Sequence, residues 1–122
     1  MNKKTLIVGA SPNTDRFAYQ AAILLKKYGH DFEPMGIRRG EVLGKPILDI
    51  RTNPAIEGID TITLYIRPDW QAQWSKYLLS LKPKRIIFNP GTENSTFEKE
   101  ALEAGIDVEE ACTLVMLRTG QY

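Results

Sequence analysis

Leu6-Ile7-Val8-Gly9-Ala10-Ser11-Pro12-Asn13-Thr14-Asp15-Arg16, close to the amino terminus, decides how the rest of the chain reads. Three consecutive apolar, β-prone residues stop at a glycine, the pattern of a short strand buried on both faces that runs into a turn. A helical pattern follows over residues 17–28. Ala18, Ala21, Ala22, Leu25 and Tyr28 recur at three- and four-residue steps, and Lys26 and Lys27 sit where the helix dipole favours cations. Gly29 supplies the stop.

The alternation continues outward from there. Residues 30–35 read as a second strand and Gly36-Ile37-Arg38-Arg39-Gly40 as a loop. Residues 42–58 contain Gly44, Pro46, Pro54 and Gly58, which predicts mostly irregular chain with one short extended piece at Ile47-Leu48. Thr61-Ile62-Thr63-Leu64-Tyr65-Ile66 is the clearest strand, and Pro68-Asp69 opens a helix reaching about Leu81, ended by Pro83. Arg85-Ile86-Ile87-Phe88 is a further strand, and Asn89-Pro90-Gly91-Thr92-Glu93-Asn94 a polar loop. A helix over residues 95–104 follows, with Ser95 as cap and Glu98 three residues on as its capping-box partner. Ile106-Asp107-Val108-Glu109 is the fifth strand, and Thr113-Leu114-Val115-Met116-Leu117 a short apolar tail element.

This pattern predicts one α/β domain spanning residues 1–122, a Rossmann-like three-layer sandwich with a mainly parallel five-stranded sheet. A chain of 122 residues is long enough for one real core and too short for a cofactor domain plus a separate substrate domain. With 43% hydrophobic residues, 25% charged residues and a net charge of +1, the composition is that of a soluble globular protein. It gives no reason to expect general nucleic-acid or membrane-surface binding. Lys3 and Lys4 precede an apolar run that stops at Gly9, far short of a signal core or a membrane span, so a cytoplasmic location is expected. Cys112 and His30 are each alone of their kind, which makes internal disulfides and a structural metal site unexpected.

In sheets of this kind ligands bind outside the carboxyl ends of the strands, where the strand order reverses. The first such loop has one glycine where a dinucleotide fingerprint has three, and it lacks the Gly-Lys-Ser/Thr of a P-loop. Gly9 permits close backbone approach, Ser11 brings a hydroxyl, Arg16 adds a cation, and the following helix aims unpaired N–H groups at an anion. An ordinary turn in which Thr14 or Asp15 caps the helix fits the same residues, and both readings stand. After the second strand, Arg38 and Arg39 take the place where an acidic residue would meet an unphosphorylated ribose. Adjacent arginines suit a phosphorylated ribose, as in NADP or coenzyme A, and equally a solvated surface pair. Tyr65, Ile66, Arg67 and Pro68 could wall an adenine ring, and the polar loop at Asn89 and Gly91 could touch ligand or simply reverse the chain. Carboxylates around Cys112 provide no environment that activates a thiol. Trp70 and Trp74, four apart on one helix face, read first as core or subunit packing.

At Val8-Gly9-Ala10-Ser11-Pro12-Asn13, at Lys82-Pro83-Lys84-Arg85-Ile86-Ile87-Phe88-Asn89-Pro90-Gly91-Thr92-Glu93-Asn94 and at Glu110-Ala111-Cys112-Thr113-Leu114-Val115-Met116-Leu117 the chain resembles a known family. These are the small stand-alone CoA-binding proteins, similar to the N-terminal domain of the succinyl-CoA synthetase alpha subunit. The resemblance covers nearly the whole chain. It implies CoA along the carboxyl edge of the sheet, with the pyrophosphate near Gly9, Ala10, Ser11 and Arg16, and the phosphorylated ribose facing Arg38 and Arg39. Ile66, Arg67 and Pro68 would border the adenine, and Asn89 and Gly91 would lie near the pantetheine path. Nothing corresponds to the synthetase's catalytic domain, so the expectation is a non-catalytic carrier or regulatory module for CoA or an acyl-CoA. Two alternatives remain open. One is an NADP-type binding protein or small oxidoreductase using the same loops. The other is an interaction protein that has kept the fold and lost its ligand, self-associating through the tryptophans or the apolar tail into a homo-oligomer.

Overall fold

Thr5–Val8 forms strand β1, and all four residues are buried, as a short apolar run must be when covered on both faces. Helix α1 (Phe17–Lys27) turns Ala18, Ala21, Ala22 and Leu25 inward, and its small alanines let it lie close to the sheet. Strand β2 (Phe32–Gly36) follows, starting two residues later than the sequence suggests. His30 lies outside it, where its Nδ1 accepts a hydrogen bond from the Lys3 backbone N–H at 2.9 Å. Residues 41–46 form a small hairpin of β3 (Glu41–Val42) and β4 (Lys45–Pro46). Both turn residues, Leu43 at φ 51° and Gly44 at φ 82°, occupy the left-handed region that such two-residue turns demand.

Strand β5 (Leu48–Asp49) and a 3₁₀ turn (Ile50–Thr52) lead to β6 (Thr61–Leu64). Helix α2 (Pro68–Ser80), β7 (Arg85–Phe88), α3 (Ser95–Glu103), β8 (Asp107–Glu110) and α4 (Thr113–Arg118) complete the chain. The computed structural model describes residues 1–122.

The main sheet has six strands in the order β5-β2-β1-β6-β7-β8, every neighbouring pair parallel. This corrects the expected count of five. The sixth strand is β5, which pairs with β2 through only Met35↔Leu48 and Gly36↔Asp49. The short extended piece expected at Ile47-Leu48 overlaps it at Leu48, but two half-buried residues are too few to mark it as a strand of the sheet. Numbered along the sheet's own strands, the order is 3-2-1-4-5-6, that of dinucleotide-binding folds, and it reverses between β1 and β6.

Alternation along β1 divides the core. Leu6 and Val8 join Leu78, Phe97 and Ala101 of α2 and α3 on one face. Ile7 joins Ala18, Ala22, Leu25 and Leu117 of α1 and α4 on the other. Phe88 and Phe97 meet edge to face, with ring centroids 5.5 Å apart. The cap of α3 is displaced by one residue from the expected Ser95. Asn94 accepts from the Phe97 N–H at 3.2 Å, and Glu98 accepts from the Asn94 N–H at 2.9 Å, closing a reciprocal box around Asn94. No helix is long and apolar enough to cross a membrane.

Candidate functional site

The reversal of strand order opens a groove of about 550 Å³ at the carboxyl ends of β1, β2 and β6. Of the residues singled out from the sequence, Gly9, Ala10, Ser11, Arg16, Arg38, Ile66 and Arg67 line it together. Arg39, Pro68, Asn89 and Gly91 do not.

Gly9 sits at φ 97°, and a Cβ there would lie 2.9 Å from both the carbonyl carbon and the oxygen of Tyr65. The close approach this glycine permits is therefore to β6's own backbone. Gly36 stands similarly against Ala10, where a Cβ would meet the backbone oxygen at 3.2 Å. The N–H groups of Gly9 and Ala10 both donate to the Met35 carbonyl, at 2.9 and 3.0 Å. Ser11 is the first loop residue whose backbone N–H has no partner. Its hydroxyl accepts from the Asn13 N–H at 3.1 Å and keeps its own proton free to donate.

Neither Thr14 nor Asp15 caps α1. The Asn13 side chain accepts from the Asp15 N–H at 2.9 Å, Arg16 occupies the N-cap without a side-chain cap bond, and the N–H groups of Phe17 and Ala18 are left unpaired. A helix start with free donors and no acidic residue in its first turn is a positive pole facing the groove.

Arg16, Arg38 and Arg67 line the groove, and no Asp, Glu, His or Cys does. Arg67 is committed to Asp69 at 2.9 Å. Arg16 and Arg38 have no ion-pair partner. Arg39 lies outside the groove; the nearby Asp49 carboxyl is held below its ordinary value chiefly by hydrogen bonds from Arg51, with the Arg39 charge the smallest contribution.

The rim is apolar. Phe17, Ile37 and Trp70 are 72%, 49% and 46% exposed around the one opening, a grouping that solvated surfaces seldom carry without a use. Of the tryptophans expected in core or subunit packing, Trp74 does pack against the core, and both Trp70 and Trp74 line the groove. Their i, i+4 spacing was visible in the sequence. The side that α2 would turn to the β1 loop was not. Burial pushes the Tyr65 phenol above its ordinary value, with nearby Thr63 and Thr113 offsetting part of the shift. Its oxygen has no hydrogen-bond partner, while the two threonine hydroxyls bond to each other at 2.8 Å.

Asn89 is 3% exposed, and its amide is spent inside the protein. Its Nδ2 donates to Thr63 Oγ1 at 2.7 Å and to the Leu64 carbonyl at 2.8 Å, while its Oδ1 accepts from the Thr113 N–H at 2.9 Å. It ties β6, β7 and α4 together. Gly91 lies on the exposed loop, at φ 90°, donating its N–H to Glu93 Oε1 at 2.8 Å. Gln71 went unremarked in the sequence. Fully buried on α2, it donates to the Ile66 carbonyl at 2.9 Å and the Thr92 carbonyl at 2.7 Å, bracing the wall of the groove against the loop after β7. A buried amide in a helix is the only signal that could have marked it.

The chain belongs to the CoA binding domain family, whose pattern matches residues 3–118. Membership supports a CoA-related binding role. The chain is similar to an uncharacterized protein of known crystal structure, at 55% identity over 100% of this chain and 99% of that one, with a TM-score of 0.96. A hypothetical protein from Pyrococcus horikoshii OT3 shares 25% identity over 97% of this chain and 83% of that one, TM-score 0.84. A Rex-family repressor, RSP, solved in complex with beta-NADH, shares the fold at 18% identity over 99% of this chain and 59% of that one, TM-score 0.64. No curated protein matches the chain.

Proposed function

We propose that this chain binds coenzyme A or an acyl-CoA in the groove at the β1/β6 reversal, as a carrier or regulatory module and not as a catalyst. The observation that carries the reading is the charge of the groove: three arginines, two of them without an ion-pair partner, and no carboxylate. Such a lining favours a ligand with several phosphates. The Ser11 N–H and hydroxyl, with the open start of α1, supply donors for a pyrophosphate. Arg38, at the end of β2, stands where a ribose phosphate is read in folds of this order. Phe17, Ile37 and Trp70 supply apolar area for an adenine ring. Ser11 and Tyr65, which carry hydroxyls, line the groove, and no carboxylate, imidazole or thiol lines it to activate them, which supports a binding role.

The NADH complex of the Rex-family structure favours a second reading, a dinucleotide in the same groove. Titration calorimetry with CoA, dephospho-CoA, NADPH and NADH separates the two. CoA is expected to bind tightest, and dephospho-CoA more weakly for want of the ribose phosphate. No heat with CoA at millimolar concentration, from folded protein, would sink the reading, and tighter NADPH binding would reverse the order.

A further inference from the structure

A second cavity, about 1280 Å³ in volume, lies toward the other end of the sheet, between α2 and the chain that enters β6. That entering segment, residues 54–59, donates no backbone hydrogen bond. It is strapped across α2 by its apolar anchors Ile56 and Ile59 and by two side chains that reach its carbonyls. Tyr77 donates to the Pro54 oxygen at 2.6 Å, and Lys4 to the Glu57 oxygen at 3.0 Å.

Behind the strap the floor is Trp74, Tyr77 and Leu81, and the rim carries Lys4, Lys76, Lys82 and Lys84 against only Glu57 and Asp60. Lys84 reaches Asp60 no closer than 4.0 Å, and Lys76 and Lys82 have no ionic partner. Lys82 is moreover fixed at φ 52°, the left-handed region that a lysine seldom adopts. A concave site with an apolar floor beneath a wide polar rim, at or above the usual size of small-molecule sites, can hold a ligand.

We propose that this cavity is a second binding site, distinct from the nucleotide groove although Trp74 lies between the two and lines both, for an amphipathic organic anion. The ligand's apolar body lies on Trp74, Tyr77 and Leu81, its acidic head meets Lys76 and Lys82, and unpaired N–H groups of the strap supply hydrogen bonds. Charge complementarity selects an anion. The aromatic floor selects a small organic molecule over a bare inorganic ion.

The test uses 8-anilinonaphthalene-1-sulfonate, an aromatic body with one acidic group, titrated against the intact chain with its fluorescence as readout. One saturable site is expected, weakened by salt and weakened about tenfold or more in the doubly substituted Lys76→Glu, Lys82→Glu chain. Arg38→Ala, in the nucleotide groove, should leave the titration unchanged, whether or not CoA binds there. Both lysines are exposed, so the paired variant is expected to melt with the parent. The proposal is overturned if the probe does not bind, if binding ignores the lysine pair, or if it follows Arg38 instead.

Discussion

Gly9 is the residue at which backbone geometry and site meet. Its positive φ and the Tyr65 carbonyl 2.9 Å from any added Cβ make Gly9→Ala a backbone lesion first and a ligand lesion second. The variant should lose about 2–3 kcal/mol in urea unfolding, and a loss under 0.5 kcal/mol would mean the loop relaxes freely. The two arginines after β2 separate cleanly. Arg38 lines the groove and Arg39 does not, so Arg38→Ala should weaken CoA by about tenfold or more, in line with a charge-assisted bond, with little change for dephospho-CoA. Arg39→Ala should leave both ligands near parental affinity. Equal losses for CoA and dephospho-CoA in the Arg38 variant would move that residue away from the ribose phosphate.

Among elements, the starts of the helices differ in a way that matters to the site. The start of α3 is closed by Asn94 and Glu98, while that of α1 is left open at Phe17 and Ala18. Asn94→Ala should therefore cost about 1 kcal/mol of stability, and Ser95→Ala less than about 0.5 kcal/mol. Equal costs would return the cap to Ser95. Gln71 joins two loops through bonds to Ile66 and Thr92. Replacing it by leucine leaves two buried carbonyls without their donor and should cost about 2 kcal/mol or more, read by denaturant titration. Its removal should also blur CoA affinity, because Ile66 and Arg67 lose their brace.

At the scale of the molecule, the groove occupies one end of the sheet and a cluster around Tyr122 packs at the other. Tyr122 stacks against His30 with ring centroids 5.0 Å apart, and Arg85 lies 4.5 Å from its ring centroid. The Tyr122 carbonyl accepts from Lys3 at 2.6 Å and from Arg85 at 2.9 Å. His30 must stay neutral here, because its Nδ1 accepts from the Lys3 N–H. Burial, with the charges of the amino terminus, Lys3 and Arg85, holds its pKa below the ordinary 6.5, Asp60 opposing weakly. The unfolded chain then binds the proton first on acidification. Stability contributed by this group is complete above about pH 6.5 and is lost as pH falls through the lower folded value. His30→Gln should flatten this limb of the stability profile, measured by thermal unfolding between neutral and acid pH, and an unaltered limb would assign it to other groups.

Where apolar runs were long enough to repeat, the sequence sufficed. Residues 6–8, 61–66 and 85–88 announced buried strands, of which the middle one ends at Leu64, the alanine-rich face announced α1, and their alternation announced a parallel α/β sheet. Each of these rests on local periodicity and turn chemistry, which a single chain carries in its own order. The sixth strand, the one-residue move of the α3 cap, the spending of the Gly9 and Ala10 N–H groups on Met35, and the placing of Arg38 but not Arg39 in the groove were decided by the tertiary structure. So was the turning of Trp70 and Trp74 into the groove. These depend on which distant backbone group or helix face arrives alongside, and hydrogen-bond saturation and packing across strands leave no trace in the spacing of residues along the chain.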